Sequence, residues 1–406
     1  MPWSGCVPAD AFLLCHPDHR PCICHHRLHD RRFRRHGKFY RRSGRRIHHR
    51  DYRILRRAFP RRKPGADRYS IDFRADPAFS SNRFIRGEGM NFQKPPWMIL
   101  GTLILVLLPW ILFSEFLISF AVIVLYSATI GHSWNILGGY AGQFSFGSVL
   151  FFGTGAYTSS VLQMNFGINP WIGLIAGILM GALVGAFVGF LSFRFGLRGS
   201  YFALITLAFA EAFRIIANTV EFTGAGMGIY IPLDQHPLNF QFEGRTGFYY
   251  VILALFLIAT AITLKLENSR FGSRLKAIRE NEDAAEALGI NTFRLKMQAI
   301  MISGGIGASG GTFYAQYYLY IDPSIAYGVD KSVEMLLVSI IGGMGTVMGP
   351  FIGSLVLHLI NEISRHFINA PGLSLVVYGV ILVLIIGFLP KGLTGAFQSQ
   401  KKVKRA

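Results

Sequence analysis

The residues able to do chemistry in this 406-residue chain are few, because only 16% of it is charged and 51% is hydrophobic. The densest group runs from Lys265 to Lys296 and includes Arg270, Arg274, Lys276, Arg279, Glu280, Glu282, Asp283, Glu286 and Arg294. Charges on several faces of one segment suit water or a docked partner. A second group is Gly142-Gln143-Phe144-Ser145-Phe146-Gly147. Gly-rich breaks in a membrane helix free backbone polar groups, which is tolerated only where protein or a water-filled cavity satisfies them. Gln143 and Ser145, flanked by Gly142 and Gly147, therefore either line a path for a small polar solute or hydrogen-bond between helices. Glu211 and Arg214 stand three apart on one helix face and read as a structural pair. His132, near Ser133 and Asn135, reads as a hydrogen-bonded packing residue. No H-E-x-x-H or G-x-x-x-x-G-K-[ST] pattern occurs, so the sequence points to no enzyme site, no metal, no cofactor and no P-loop.

The elements that must position these residues are apolar runs. A bilayer core of about 30 Å needs about 20 apolar residues per helix. Candidate spans cover 97–113, 116–137, 143–163, 170–193, 200–219, 247–265, 295–319, 332–360 and 373–389. The 332–360 run is broken at Gly342-Gly343-Met344-Gly345 and Pro350, which leaves one broken span, two half-helices or a re-entrant hairpin. The expected fold is an all-α polytopic transmembrane helix bundle of eight to ten spans. Lys and Arg mark cytoplasmic loops, so 265–296 and the Arg194–Arg198 turn belong inside, as does the basic tail 398–406. Loops 220–246 and 320–331 belong outside. That parity favours the hairpin. Gly177, Gly181, Gly185 and Gly189 recur every four residues and predict close helix packing. The stretch from Ser269 to Leu288 predicts a charged cytoplasmic helix with Gly289 as its C-cap.

Residues 1–89 are a different kind of sequence. They hold 22 of the 41 Lys and Arg residues, only 8 of the 22 acidic ones, and all four cysteines, Cys6, Cys15, Cys22 and Cys24. No helical or strand period runs through them. Three readings stand: translation upstream of a true start at Met90, a basic arm for nucleic acid or anionic lipid, and a small metal site at Cys22, Cys24, His25 and His26. The first is preferred, with 1–89 disordered. The basic balance of the whole chain is thus no nucleic-acid signal for the body.

Several blocks, in one order, carry a family resemblance. Gly138-Gly139-Tyr140-Ala141-Gly142-Gln143-Phe144-Ser145-Phe146-Gly147 resembles the G-x-x-G-Q-x-S-x-G stretch of branched-chain amino-acid permeases of ABC importers. Leu197-Arg198-Gly199-Ser200-Tyr201-Phe202-Ala203 and Thr206-Leu207-Ala208-Phe209 are similar to two more of its segments. So are Ile341-Gly342-Gly343-Met344-Gly345-Thr346 and Leu389-Pro390-Lys391-Gly392-Leu393. Asp283-Ala284-Ala285-Glu286-Ala287-Leu288-Gly289 resembles the family's coupling helix, which docks in a cleft of an ATPase subunit. The resemblance implies that residues 90–397 form an importer transmembrane domain with a coupling helix at about 270–289. It also implies that Ala284 and Ala285 offer a close-approach face, with Gly289 behind it, while Arg279, Glu280, Glu282 and Asp283 contact the ATPase. The implied partners are ABC ATPase subunits, a second homologous permease subunit, a periplasmic substrate-binding protein and the lipid bilayer. The implied setting is a bacterial inner membrane, and the implied solute is a branched-chain amino acid or related small polar solute. Ser148 stands where many members carry His, and Thr223-Gly224-Ala225-Gly226 departs from the usual T-G-G, so the solute stays open between amino acids, amides and urea. An ion-coupled carrier is the competing reading.

Overall fold

The computed structural model of the protein describes residues 96–111, 114–234 and 236–367, with a few more between 379 and 394. The readings of 1–89, most of the 373–389 span and the 398–406 tail fall outside the described residues.

The elements are α1 (Pro96–Ile111), α2 (Glu115–Trp134), α3 (Val149–Phe166), α4 (Pro170–Arg194), α5 (Ser200–Thr219), α6 (Arg245–Glu267), α7 (Arg270–Glu280), α8 (Glu282–Ala287), α9 (Thr292–Tyr318), α10 (Pro323–Tyr327), α11 (Val329–Gly342) and α12 (Gly349–Phe367). One two-stranded ribbon pairs β1 (Ile229–Tyr230) with β2 (Tyr320–Ile321), antiparallel. The chain is therefore an all-α membrane bundle. Among the described residues four helices are long and apolar enough to cross a bilayer: α2 with its extension to Tyr140, α4, α5 and α6. α3 and α9 have 18 and 27 residues, long enough too. They are enclosed by neighbours, so Gly, Ser and Thr replace the apolar residues that lipid would demand.

The α4–α9 contact shows why. A methyl on Gly181 would sit 2.6 Å from Gly304 O, and one on Gly185 would sit 2.9 Å from Ile300 O. Gly177 similarly meets Thr312 Oγ1 at 2.8 Å, and Gly189 meets Ile300 Cγ2 at 2.7 Å. The four-residue glycine period thus packs one helix backbone against another, as its spacing predicts. α4 itself starts where Asn169 Oδ1 accepts from Trp171 N at 2.9 Å, with Pro170 in the first turn.

The bundle has two ends with different contents. At one end Ile229 pairs with Ile321, which brings loops 220–246 and 320–331 together. At the other end Arg198 touches Asp283 at 2.6 Å, which brings the α4–α5 turn to α8. The loops expected to share a side of the membrane do so.

The 332–360 run is a hairpin. Ser339 Oγ donates to Gly131 O at 2.9 Å, and Asn135 Nδ2 donates to Thr346 O at 2.9 Å, so α11 descends beside α2. Ser354 Oγ then donates to Val124 O at 2.6 Å, so α12 climbs back along it.

Two local expectations need correction. The span expected over 143–163 begins at Val149 instead, because residues 141–148 are not helical. Phe144 and Phe146 keep that stretch apolar and mask the break. The single helix expected over Ser269–Leu288 is two helices. Asn281 is extended (φ −157°, ψ 107°), and its side chain caps α8 by accepting from Ala284 N at 3.0 Å. Gly289 does close the segment. Its φ is +80°, Gly289 N reaches Glu286 O at 2.8 Å, and Ile290 N reaches Ala285 O at 3.1 Å, the paired bonds of a Schellman turn.

Candidate coupling and pathway site

The basic end of the bundle holds both predicted groups, and Arg279 joins them. α2 does not stop cleanly. It relaxes into a π-helical turn, Asn135–Tyr140, which leaves carbonyl groups outside the regular ladder. Arg279 Nη1 donates to one of them, Gly139 O, at 2.7 Å. Gly142 has φ +69°, and a methyl there would lie 2.6 Å from Arg279 Cγ. Only glycine serves at that position, for backbone angle and for space alike. The tip of the α11–α12 hairpin closes the node: Gly345 N donates to Asn135 Oδ1 at 2.8 Å. Three backbone breaks and one guanidinium therefore share one place.

From Gln143 to Gly147 the side chains alternate. Gln143, Ser145 and Gly147 are buried, whereas Phe144 and Phe146 are about 40% exposed. Alternation is the period of extended backbone. Trp134 Nε1 anchors the stretch by donating to Ser145 O at 2.8 Å. Gly147 packs on the α5 backbone at Thr206 O. Gln143 Oε1, Ser145 Oγ and Ser148 Oγ have no hydrogen-bond partner among the described residues. Buried polar atoms without partners are costly, and this stretch has three within six residues.

The charged segment is more occupied internally than its sequence implies. Ala285 is buried at 2% exposure against Leu275, Ile278 and Leu295, so the expected two-alanine face reduces to Ala284. Glu282 binds Lys296, itself buried over the Phe193 ring, and also Arg198 Nε at 3.3 Å. Asp283 holds Arg198 Nη1 while staying mostly exposed. Glu280, Ala284, Glu286, Ala287 and Leu288 remain open, Leu288 at 82%. Beside them a groove of about 510 Å³ is lined by Phe271, Arg274, Leu288, Asn291, Arg294 and Gln298.

Glu211 and Arg214 form a two-bond pair, with Nε at 2.9 Å and Nη2 at 2.5 Å from the carboxylate. His132 is enclosed, with Thr260 Oγ1 and Thr263 Oγ1 each 3.2 Å from a ring nitrogen and Phe256 beside it. One residue was missed. It is Glu334 of α11, which sits among neighbouring helices. It takes Lys331 Nζ at 3.0 Å and Ser127 Oγ at 2.9 Å, with His358 Nε2 3.8 Å away. Among the described residues no cluster of His, Cys, Asp and Glu could hold a metal ion.

A sequence profile described as branched-chain amino acid transport system / permease component matches residues 112–386. The chain is 27% identical over 332 residues to the high-affinity branched-chain amino acid transport system permease protein LivM of Escherichia coli, which covers 76% of this chain and 77% of that one. It is 28% identical over 209 residues to a probable permease protein LivM of Methanocaldococcus jannaschii, covering 48% and 60%. It is 25% identical over 193 residues to the permease protein LivH of Escherichia coli, covering 46% and 62%. No solved structure matches it.

Proposed function

Since the chain belongs to the family of branched-chain amino acid transport permeases, we propose that it is the membrane-spanning subunit of an ATP-driven importer, moved by separate ATPase subunits through α7 and α8. The importer sits in a bacterial inner membrane and takes up branched-chain amino acids or a related small polar solute. Its other parts are the ATPases, a second homologous permease and a periplasmic substrate-binding protein that delivers the solute to the end formed by 220–246 and 320–331.

The observation that carries this reading is Arg279. It belongs to the charged segment, yet its guanidinium sits on the π-turn of α2 and beside the hairpin tip. Any displacement of α7 by a docked ATPase reaches both broken elements directly. The open groups for docking are Glu280, Ala284, Glu286 and Leu288. Gln143 and Ser145, held on the same node by Gly142, give the passing solute an amide and a hydroxyl.

A carrier driven by an ion gradient is less well supported. Such a carrier favours an acidic residue at mid-membrane that is free to load the ion. Glu211 is taken by Arg214, and Glu334 by Lys331 and Ser127. The deciding experiment is solute uptake by membrane vesicles carrying the whole complex, with Ala284→Glu and Leu288→Glu variants. Loss of nucleotide-driven uptake, with the chain still inserted, is expected. Uptake that needs no nucleotide, or variants that keep full uptake and full ATPase association, defeats the reading.

A further inference from the structure

α4 and α5 present different faces to their surroundings. The outward side of α4 carries Ile172, Ile175, Leu179, Leu183 and Phe187, a surface that lipid accepts. The outward strip of α5 runs Leu204, Ala208, Ala212 and Ile215, and the Glu211–Arg214 pair lies along it. The Glu211 and Arg214 side chains keep 45% and 36% of their surface open. Glu211 is near the middle of a 20-residue helix. At 1.5 Å per residue that places it near half depth in a hydrocarbon core about 30 Å thick. From there the Glu211 carboxylate does not reach a membrane surface, and Arg214 is turned back onto it. Among the described residues neither has another partner. Charged groups inside spans turn toward the bundle interior, a partner or water, not toward lipid.

We propose that the α5 face of Leu204, Ala208, Glu211, Ala212 and Arg214 is the seam against the second permease subunit. The proposal rests on the paired-permease reading above. Ala208 and Ala212 are small and let a neighbouring backbone approach. The ion pair is neutral overall and offers donors and acceptors side by side. Across a two-fold axis along the membrane normal the two chains bring their pairs to one depth, where each Arg214 reaches the other chain's carboxylate. A homologous subunit with matching groups fits this surface; acyl chains do not. The same helix begins one residue after Gly199 and two after Arg198, which binds α8, so the seam helix and the driven segment meet at that turn.

The test uses the assembled complex, purified from its host membranes through a tag on this chain. Cys6, Cys15, Cys22 and Cys24 are replaced by Ser; the body has no other cysteine. Nitroxide labels are placed at Ala212→Cys and, as a reference, Leu183→Cys on the outward face of α4. Collision with oxygen dissolved in the bilayer is expected to be several-fold lower at position 212 than at position 183, as for a site shielded from lipid. It should rise to the reference level when the chain is expressed alone. Equal collision at both positions in the complex overturns the seam. Uptake by the labelled complex is measured alongside. Normal uptake with a lipid-exposed position 212 removes the seam and leaves the permease reading intact. Absence of nucleotide-driven uptake in the unlabelled complex removes the permease reading itself.

Discussion

Lys331–Glu334 and Glu211–Arg214 are ion pairs of the same local design, each joining side chains three apart on one helix. Their surroundings are opposite. Glu334 also takes Ser127 of α2 and faces His358 of α12, while Lys331 lies over the rings of Tyr126 and Tyr314 at 5.6 and 5.3 Å. That pair ties four helices together inside the chain, α2, α9, α11 and α12. Glu211 has Arg214 and an open side. Spacing reveals that a pair forms; only the remaining neighbours tell whether it is an internal tie or a face turned outward.

The contrast predicts unequal responses. Glu334→Ala strands the Lys331 ammonium among aromatic rings and should destabilise the chain by about 2–3 kcal/mol, read as a lower thermal midpoint of the purified chain in detergent. Glu211→Ala in the same assay should leave the midpoint in place. Equal falls for the two variants would erase the distinction.

Gly181→Leu ranks packing against charge. It forces a side chain into Gly304 O and Ala308, so a loss of about 1–3 kcal/mol is expected. Gly101→Leu, at a glycine with nothing within 4 Å, supplies the silent control. Arg279→Ala removes a third kind of tie, from charge to backbone carbonyl. It should lower nucleotide-driven uptake about ten-fold, or about 1.4 kcal/mol, with the thermal midpoint nearly unmoved. A midpoint that falls as far as for Glu334→Ala would make Arg279 a structural residue only.

The smallest effect belongs to Arg198→Ala. Arg198 and Asp283 are 45% and 79% exposed, so water and salt screen their attraction. About 0.2–1 kcal/mol is expected, shrinking as ionic strength rises. A loss insensitive to salt would mean that Glu282, only 12% exposed and shared with Lys296, carries the contact.

Much of this was legible in the sequence where backbone geometry speaks through residue type. The glycine period of α4, the hairpin break at Gly342–Gly345 and the closing turn at Gly289 all follow from what glycine alone permits. The rest depended on tertiary neighbours. The buried role of Ala285 is set by Leu295 of another helix, and an alanine carries no mark of which face it turns inward. Glu334 lies just inside the edge of an expected span, next to a basic residue assigned to the loop, so nothing local marks it as a tie between helices. The break at Asn281 had a local signal, Asn followed by Glu and Asp at a helix start, but the charge pattern on both sides masked it. The node at Arg279 joins residues 140 and 66 positions apart, a proximity that no local pattern encodes.

One side chain sets the manner in which that node can move. Asn135 grips the hairpin tip with both halves of its carboxamide, the oxygen on Gly345 N and the nitrogen on Thr346 O. Because both atoms belong to one planar group, a shift of the tip strains the two bonds together, so this corner of the node is set or released as a unit.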